Sequence, residues 1–146
     1  MKLSTRTRYG VRLMVALAQN YGKDPVFLKD IAKGEKISEK YLSLIIIPLR
    51  GVNLVNSMRG AHGGYNLSKE PSQITLKEIV DVLEGECSLV ECVNNPSSCE
   101  RTPICATHDV WAMIGEKISE TLSSITLDRL AKMNQEKADN TIMQNI

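Results

Sequence analysis

Residues 28–50 contain the pattern that most constrains how this chain can fold. An apolar segment at helical spacing, Leu28–Lys33, is followed by Gly34, and Ser38 then precedes a longer segment, Glu39–Arg50. Glycine commonly ends a helix just past its last residue, and serine is a preferred residue immediately before a helix. A short helix, a turn and a capped longer helix make a helix-turn-helix, so these residues predict that motif.

The segments that flank this motif predict a winged form of it. Leu54–Arg59 and Tyr65–Leu67 have the composition of short strands, and the glycine-rich run between them predicts an open hairpin turn. Helical periodicity is present over Thr5–Tyr21 and over Thr75–Glu84, the second of which begins with a threonine cap. We therefore predict a mainly α fold with a small β-hairpin.

A long apolar stripe in the C-terminal half predicts a further helix. The side chains that recur there every three or four residues are Trp111, Ile114, Ile118, Leu122 and Ile125. A stripe outside a compact head needs another surface to cover it, and the same helix of a second subunit would do so. We expect a homodimer whose chain comprises a winged helix-turn-helix domain (1–84), a cysteine-rich loop (85–104), a dimerisation helix (105–132) and a disordered tail (133–146).

Charge is divided unevenly along the chain, although the net charge is only +1. Residues 1–69 contain twelve Lys and Arg against four Asp and Glu, whereas residues 70–146 contain six against thirteen. A basic half suits a polyanion such as DNA, because each phosphate contact releases condensed counterions. Two oppositely charged surfaces that hold each other would give the same distribution.

The predicted motif supplies candidate contacts to double-stranded operator DNA. A recognition helix enters the major groove with its first turns, whereas Arg59 and the glycine-rich hairpin suit the narrow minor groove. Tyr41 is equally suited to packing in the core, and a lone histidine at a hairpin tip, such as His62, is more often simply solvated. The DNA-binding candidates are Arg8, Ser38, Lys40, Tyr41, Ser43, Arg50, Arg59, His62 and Gly63.

The predicted recognition helix is unusually apolar for a helix whose outer face meets polar base edges. Its buried face is expected to comprise Leu42, Ile45 and Leu49. Leu44, Ile46 and Ile47 remain, and some of them are expected to pack on the first helix or on the wing.

The sequence lacks features of targeting, membrane insertion and catalysis. The apolar run Leu13–Ala18 adjoins Arg12 and is shorter than the roughly 7 to 15 residues of a signal-peptide core. No stretch approaches the roughly 20 apolar residues of a membrane span, so we expect a cytoplasmic protein with no membrane partner. With only two histidines, no Ser-His or paired-carboxylate arrangement and no nucleotide-binding glycine loop, the chain is not expected to be an enzyme.

Cysteines cluster before the apolar stripe. Cys92, Cys99, Cys105 and His108 are separated by six, five and two residues, unlike the paired spacing of a zinc ribbon. Because cytoplasmic thiols stay reduced, ligands or redox sensors are favoured over disulfides. Four thiolate or imidazole donors suit a 2Fe-2S cluster and also zinc or another divalent metal, and thiol-only sensing stays open. Cys87 is a rival fourth ligand or a small buried apolar residue.

Taken together, these motifs resemble the IscR-like family of bacterial transcription regulators over residues 1 to about 128. The matching segments are MKLSTRTRYGVRLM, ISEKYL, VNSMRGAHGGYNLS, ITLKEIVDVLEG and CVNNPSSCERTPICATHDVW. The resemblance implies a homodimer with a winged helix-turn-helix head, a loop that holds a 2Fe-2S or 4Fe-4S cluster, and a long dimerisation helix. By resemblance, the cluster cysteines are Cys92, Cys99 and Cys105, the completing histidine is His108, and the minor-groove arginine is Arg59.

Three residues depart from what the resemblance implies. Ser43 stands where many relatives have a glutamate, Arg8 stands where some have an acidic ligand, and Cys87 is an additional thiol. Operator preference and the fourth ligand are therefore open, with His108 preferred to Cys87 and 2Fe-2S preferred to 4Fe-4S. We expect a repressor whose operator binding responds to an iron-sulfur cluster or to iron or redox state; the alternative is a zinc- or thiol-based redox sensor of the same fold.

Overall fold

The computed structural model describes residues 2–86 and 88–146. Within them the chain forms seven α-helices and one two-stranded antiparallel sheet, which confirms the predicted fold class. The elements in chain order are α1 (Thr5–Gln19), α2 (Leu28–Glu35), α3 (Glu39–Gly51), β1 (Val55–Met58), β2 (Gly64–Leu67), α4 (Leu76–Leu83), α5 (Glu91–Asn94), α6 (Ala106–Ser124) and α7 (Leu127–Gln144).

The helix-turn-helix forms as predicted, with a different residue in its turn. The hydroxyl of Ser38 accepts the backbone N–H of Tyr41 at 3.3 Å and so caps α3. Gly34 lies inside α2, and the left-handed residue that ends this helix is Lys36, with φ of 55°. The turn after Lys36 directs Ile37 into the core, where it is buried, and this burial offsets the strain of a left-handed lysine.

One hydrophobic core joins α1, α3 and α4. Its fully buried members include Leu13, Met14, Leu17, Leu42, Ile45, Leu49 and Ile79. Gly10 lies where these helices meet: a Cβ on this residue would lie 2.1 Å from Leu83 Cδ1 and 3.2 Å from Ile45 Cγ2. The absence of a side chain at Gly10 therefore lets α1 approach both of its neighbours closely.

The hairpin pairs Val55 with Leu67 and Met58 with Gly64. Val26, in the segment before α2, adds an antiparallel bridge to Tyr65 through hydrogen bonds of 2.9 and 2.8 Å. Gly64 has φ of 132°, and a Cβ there would lie 2.6 Å from the carbonyl oxygen of Val26. The wing is thus held to the head on its β2 side, and glycine is required at that contact.

The C-terminal part differs from the single helix predicted over 105–132. Two helices, α6 and α7, are separated by Ile125 and Thr126, whose backbones are extended. Thr126 forms an antiparallel bridge with Thr75. Two backbone hydrogen bonds of 2.8 Å make this bridge: the N–H of Leu76 donates to the carbonyl of Ile125, and the N–H of Leu127 donates to the carbonyl of Ile74. The bridge interrupts the helix because these backbone groups bond to the head instead of to their own helix.

The segment predicted as a disordered tail, 133–146, is helical up to Gln144. Helix α7 continues to Gln144, beginning with the fully buried Leu127. Its first turns pack against the core, with Leu130 and Ala131 partly buried there. The packing of these turns stabilises the start of α7, and the polar residues that follow continue the same helix.

Helix α6 lies outside the core. Every residue of Ala106–Ser124 is at least partly exposed to solvent in the single chain. A groove of about 520 Å³ runs along it, lined by Met113, Ile114, Lys117, Ile118, Thr121 and Leu122. In the described ranges 2–86 and 88–146, no helix combines the length and the apolar content needed to cross a bilayer.

Candidate DNA-binding surface and cysteine loop

The outer face of α3 presents several of the predicted DNA contacts. Lys40 and Arg50 are exposed, at the first and last turns of the helix. Ser43 is half-buried, and its hydroxyl donates to the carbonyl of Lys40 at 2.6 Å, so it is bonded within the helix. Ser38 caps the helix with its side chain. The structure therefore leaves the charged side chains of α3 available to a polyanion and engages the two serines locally.

Tyr41 has a packing role in this arrangement. Its ring meets that of Tyr9 edge to face, with centroids 5.9 Å apart and planes at 81°. The guanidinium of Arg12 lies 5.5 Å from the Tyr9 centroid and forms an ion pair with Glu35 at 2.8 Å. This chain of contacts connects α1, α2 and α3, and it holds the recognition helix against the first helix.

The wing carries its predicted contacts at the tip. Arg59 and His62 are exposed. Gly63 is buried, its N–H donates to the carbonyl of Gly60 at 2.9 Å, and a Cβ on it would lie 2.6 Å from the carbonyl oxygen of Met58. Gly63 therefore shapes the turn that presents Arg59 and His62.

The N-terminus of α1 is tied to the end of α4. Glu84 accepts from the backbone N–H of Ser4 at 3.2 Å, from the Ser4 hydroxyl at 2.6 Å, and from the hydroxyl of the buried Thr7. The hydrogen bonds from Ser4, then those from Thr7, hold the pKa of the Glu84 carboxyl below its ordinary value. The anchored end of α1 also carries Arg8, which is exposed and donates to the hydroxyl of Thr5 at 3.1 Å.

The cysteine-rich segment folds into short helical turns against α6. Cys92 lies on α5, and its sulfur is 3.2 Å from Nδ1 of His108 on the first turn of α6. Cys105 is the residue immediately before α6, where its sulfur is 3.1 Å from the hydroxyl of Thr107. That hydrogen bond, followed by the one from the backbone of His108, lowers the pKa of the Cys105 thiol. Cys99 is exposed.

The four predicted ligands are therefore only partly assembled. Cys92 and His108 are in contact, whereas no group of three or more His, Cys, Asp or Glu side chains suited to a metal forms among residues 2–86 and 88–146. The donor types fit an iron-sulfur cluster or zinc, because thiolates and imidazole are ligands of both. Cys87, the rival fourth ligand, lies outside the described residues.

Comparison with known proteins decides the family. A family model described as "Rrf2: Iron-dependent Transcriptional regulator" matches residues 3–133. The chain belongs to the Rrf2 family. This membership confirms that it is a DNA-binding transcription regulator and not an enzyme.

Individual Rrf2-family relatives are similar over nearly their whole length. The transcriptional regulator CymR of Bacillus subtilis is 42% identical over 131 residues, which are 90% of either chain. The solved structure of CymR, which is described as the global cysteine regulator of B. subtilis, has a TM-score of 0.79 to this chain. The two chains are 41% identical, and the match covers 91% of this chain and 98% of CymR. The structure of T. potens IscR has a TM-score of 0.77 and 39% identity, covering 94% and 90%. The predicted resemblance to IscR-like regulators is confirmed.

Two elements of this Rrf2-family head were missed by sequence reasoning. Arg12 has no partner that the sequence indicates, but it pairs with Glu35, which is 23 residues away in sequence. Glu84 was assigned only to the end of a helix, although it anchors Ser4 across 80 residues. Neither pairing has a local sequence signal, because both depend on how whole helices pack.

Replacing Glu84 tests its role as an anchor for α1. A carboxyl whose pKa is lowered on folding stabilises the native state at pH values above its unfolded pKa, and this contribution is lost as pH falls through the folded pKa. We expect Glu84→Gln to lower the urea midpoint at neutral pH, with the difference from wild type shrinking below about pH 4.5. Urea unfolding across this pH range, with Glu136→Gln on α7 as the control, measures the effect; a constant difference would contradict it.

Proposed function

We propose that the protein is a homodimeric, cytoplasmic repressor that binds operator DNA through α3 and the wing, and whose cysteine loop binds an iron-sulfur cluster, 2Fe-2S in preference to 4Fe-4S, that controls this binding. The observation that carries the regulatory part is the 3.2 Å contact between Cys92 and His108 at the start of α6. The family description as iron-dependent supports iron as the metal.

DNA docking follows from the positions of exposed cations. Lys40 and Arg50 lie on the outer face of α3, and Arg59 lies at the wing tip, all within the basic half of the chain. A helix of this kind inserts into the major groove while a thin wing reaches the adjacent minor groove, where an arginine is attracted by the negative potential. Arg8, at the anchored end of α1, is assigned to a backbone phosphate.

Dimerisation is proposed along α6. Its apolar groove, which includes Ile114, Ile118 and Leu122, is uncovered in the single chain. Pairing with the same helix of a second copy would remove that surface from water. A dimer formed in this way would carry two recognition helices, and it can bind a pseudo-palindrome when these helices are roughly 34 Å apart.

The proposed effect of the cysteine loop is on this spacing. Cys92, Cys99, Cys105 and His108 would hold the cluster. When bound, such a cluster supplies a redox centre linked to all of its ligands. His108 lies on the first turn of α6, and residues 125 and 127, just after this helix, are bonded to residues 76 and 74 of the head. A change in the loop would thus act along α6 on the angle between the two heads.

A thiol-based sensor is the second candidate. CymR of Bacillus subtilis is described as a global cysteine regulator. In this chain, Cys92, Cys99 and Cys105 are free thiols. The Cys92–His108 pair suits a reactive thiol as well as a metal, because an imidazole in contact with a thiol can act as its base. A zinc site would use the same donors.

Removing the wing cation should weaken DNA binding. We expect Arg59→Ala to lose about 1–3 kcal/mol of binding free energy, roughly five- to 150-fold, because the minor-groove contact is lost. Fluorescence anisotropy with an operator duplex at several salt concentrations measures this loss. Arg129→Ala, on α7 in the acidic half, is the control and should bind as wild type does; equal binding by both variants would refute the wing contact.

A charge placed in the α6 groove should separate the subunits. We expect wild type to be a dimer and Ile118→Glu to be a monomer, because facing copies would bury two carboxylates without partners. Size-exclusion chromatography with light scattering measures the mass. Met143→Glu, an exposed position near the end of α7, should leave the dimer intact. An Ile118→Glu dimer would exclude α6 as the interface.

Anaerobic purification separates the proposed effectors. We expect a brown protein with bound iron and sulfide, whose colour is lost in Cys99→Ser and His108→Ala but kept in Cys87→Ser. Loaded and metal-free protein should differ at least fivefold in operator affinity, the lower end of typical allosteric coupling. A colourless protein with stoichiometric zinc would overturn the cluster, and a metal-free protein whose binding changes on thiol oxidation would support the second candidate.

A further inference from the structure

The solvent-facing side of α3 contains two large apolar side chains. Leu44 is 58% exposed and Ile47 is 59% exposed, whereas Ile46 is buried. Leu44 and Ile47 follow Lys40 by four and seven residues, so all three lie on one face of the helix. That face is opposite the buried side formed by Leu42, Ile45, Ile46 and Leu49.

This face is also the one that carries the proposed DNA contact at Lys40. In a major groove nearly every base-edge group is a hydrogen-bond donor or acceptor, which an isoleucine or leucine would desolvate without compensation. The apolar exception is the C5 methyl group of thymine. An exposed Leu44–Ile47 pair is therefore suited to thymine and ill suited to a run of G·C pairs.

We propose that Leu44 and Ile47 determine operator specificity by packing against thymine methyl groups in the major groove. The proposal rests on the docking of α3 described under Proposed function. Ser43, the neighbouring polar residue, bonds its hydroxyl to the carbonyl of Lys40 and is thus occupied within the helix. The apolar pair is left as the main source of base discrimination on the central turns of α3.

The charge around the pair favours DNA over a second copy of the chain as its occupant. Lys40 and Arg50 are exposed on the same helix, and the half of the chain that contains it, residues 1–69, has an excess of eight positive charges. Two such surfaces would repel each other, whereas a duplex would neutralise both cations. The groove available for self-association is on α6, in the acidic half.

Deoxyuridine substitution tests the proposal because it removes only the methyl group. Wild-type protein is first used to select duplexes from a randomised pool, and each thymine of a selected site is then replaced in turn by deoxyuridine. We expect thymine at central half-site positions and about a fourfold loss of affinity for each contacted methyl, as expected for exposing one such group. Leu44→Ala and Ile47→Ala should each lose discrimination between thymine and deoxyuridine at one position.

Two control variants show whether a loss of discrimination is specific to Leu44 and Ile47. Val52→Ala removes an apolar side chain that is 52% exposed just beyond α3 and should keep the fourfold discrimination. Leu44→Met should also keep it, since the apolar contact is retained. Because both target residues are exposed, Leu44→Ala and Ile47→Ala should unfold at the wild-type urea midpoint, which separates a lost contact from a damaged fold.

Selected sites without thymine at these positions, or wild-type binding that is insensitive to deoxyuridine, would overturn the proposal. Discrimination that persists in both alanine variants would also overturn it. Failure of α3 docking itself is distinguishable: Lys40→Ala would then bind the pool with the affinity and salt dependence of wild type. If Lys40→Ala weakens binding while deoxyuridine has no effect, the docking stands and the methyl readout is wrong.

Discussion

Two backbone hydrogen bonds connect the C-terminal helices to the N-terminal head. They join residue 74 to residue 127 and residue 76 to residue 125. They interrupt what would otherwise be one helix, so that α6 projects from the head while α7 returns to cover α1. The buried Ile74 and Leu127 flank this bridge and exclude water from it. The bridge therefore fixes the end of α6 and the beginning of α7 to the head.

Polar contacts set the orientation of the recognition helix within that frame. The Arg12–Glu35 pair, the Tyr9 ring and Tyr41 connect three helices, and Glu84 fixes the start of the first. Surface ion pairs contribute little stability on their own. Their effect here is geometric, because they fix α1, α2 and α3 relative to one another.

Local signals predicted the elements of the head well. The Ser38 cap, the Thr75 capping box and the glycines of the wing act over a few residues, and all are present in the structure. The division of the C-terminal half was not predictable in this way. The stripe at Trp111–Ile125 continues smoothly in sequence, and only pairing with Thr75 ends α6, so a periodic pattern could not reveal the break. The cysteine spacing likewise predicted a cluster of donors, whereas within residues 2–86 and 88–146 the structure brings only Cys92 and His108 of the four predicted ligands into contact.

The sequence by itself determined the winged helix-turn-helix, the basic head and the set of thiol and imidazole donors, because caps, periodicity and residue chemistry are local properties. Tertiary structure decided which residues of α3 point outward. Leu44, Ile46 and Ile47 are alike in sequence, yet Ile46 is buried in the core while the other two are exposed beside Lys40. That distinction depends on the angle at which α3 packs against α1 and α4, and this angle is set by contacts between residues far apart in the chain.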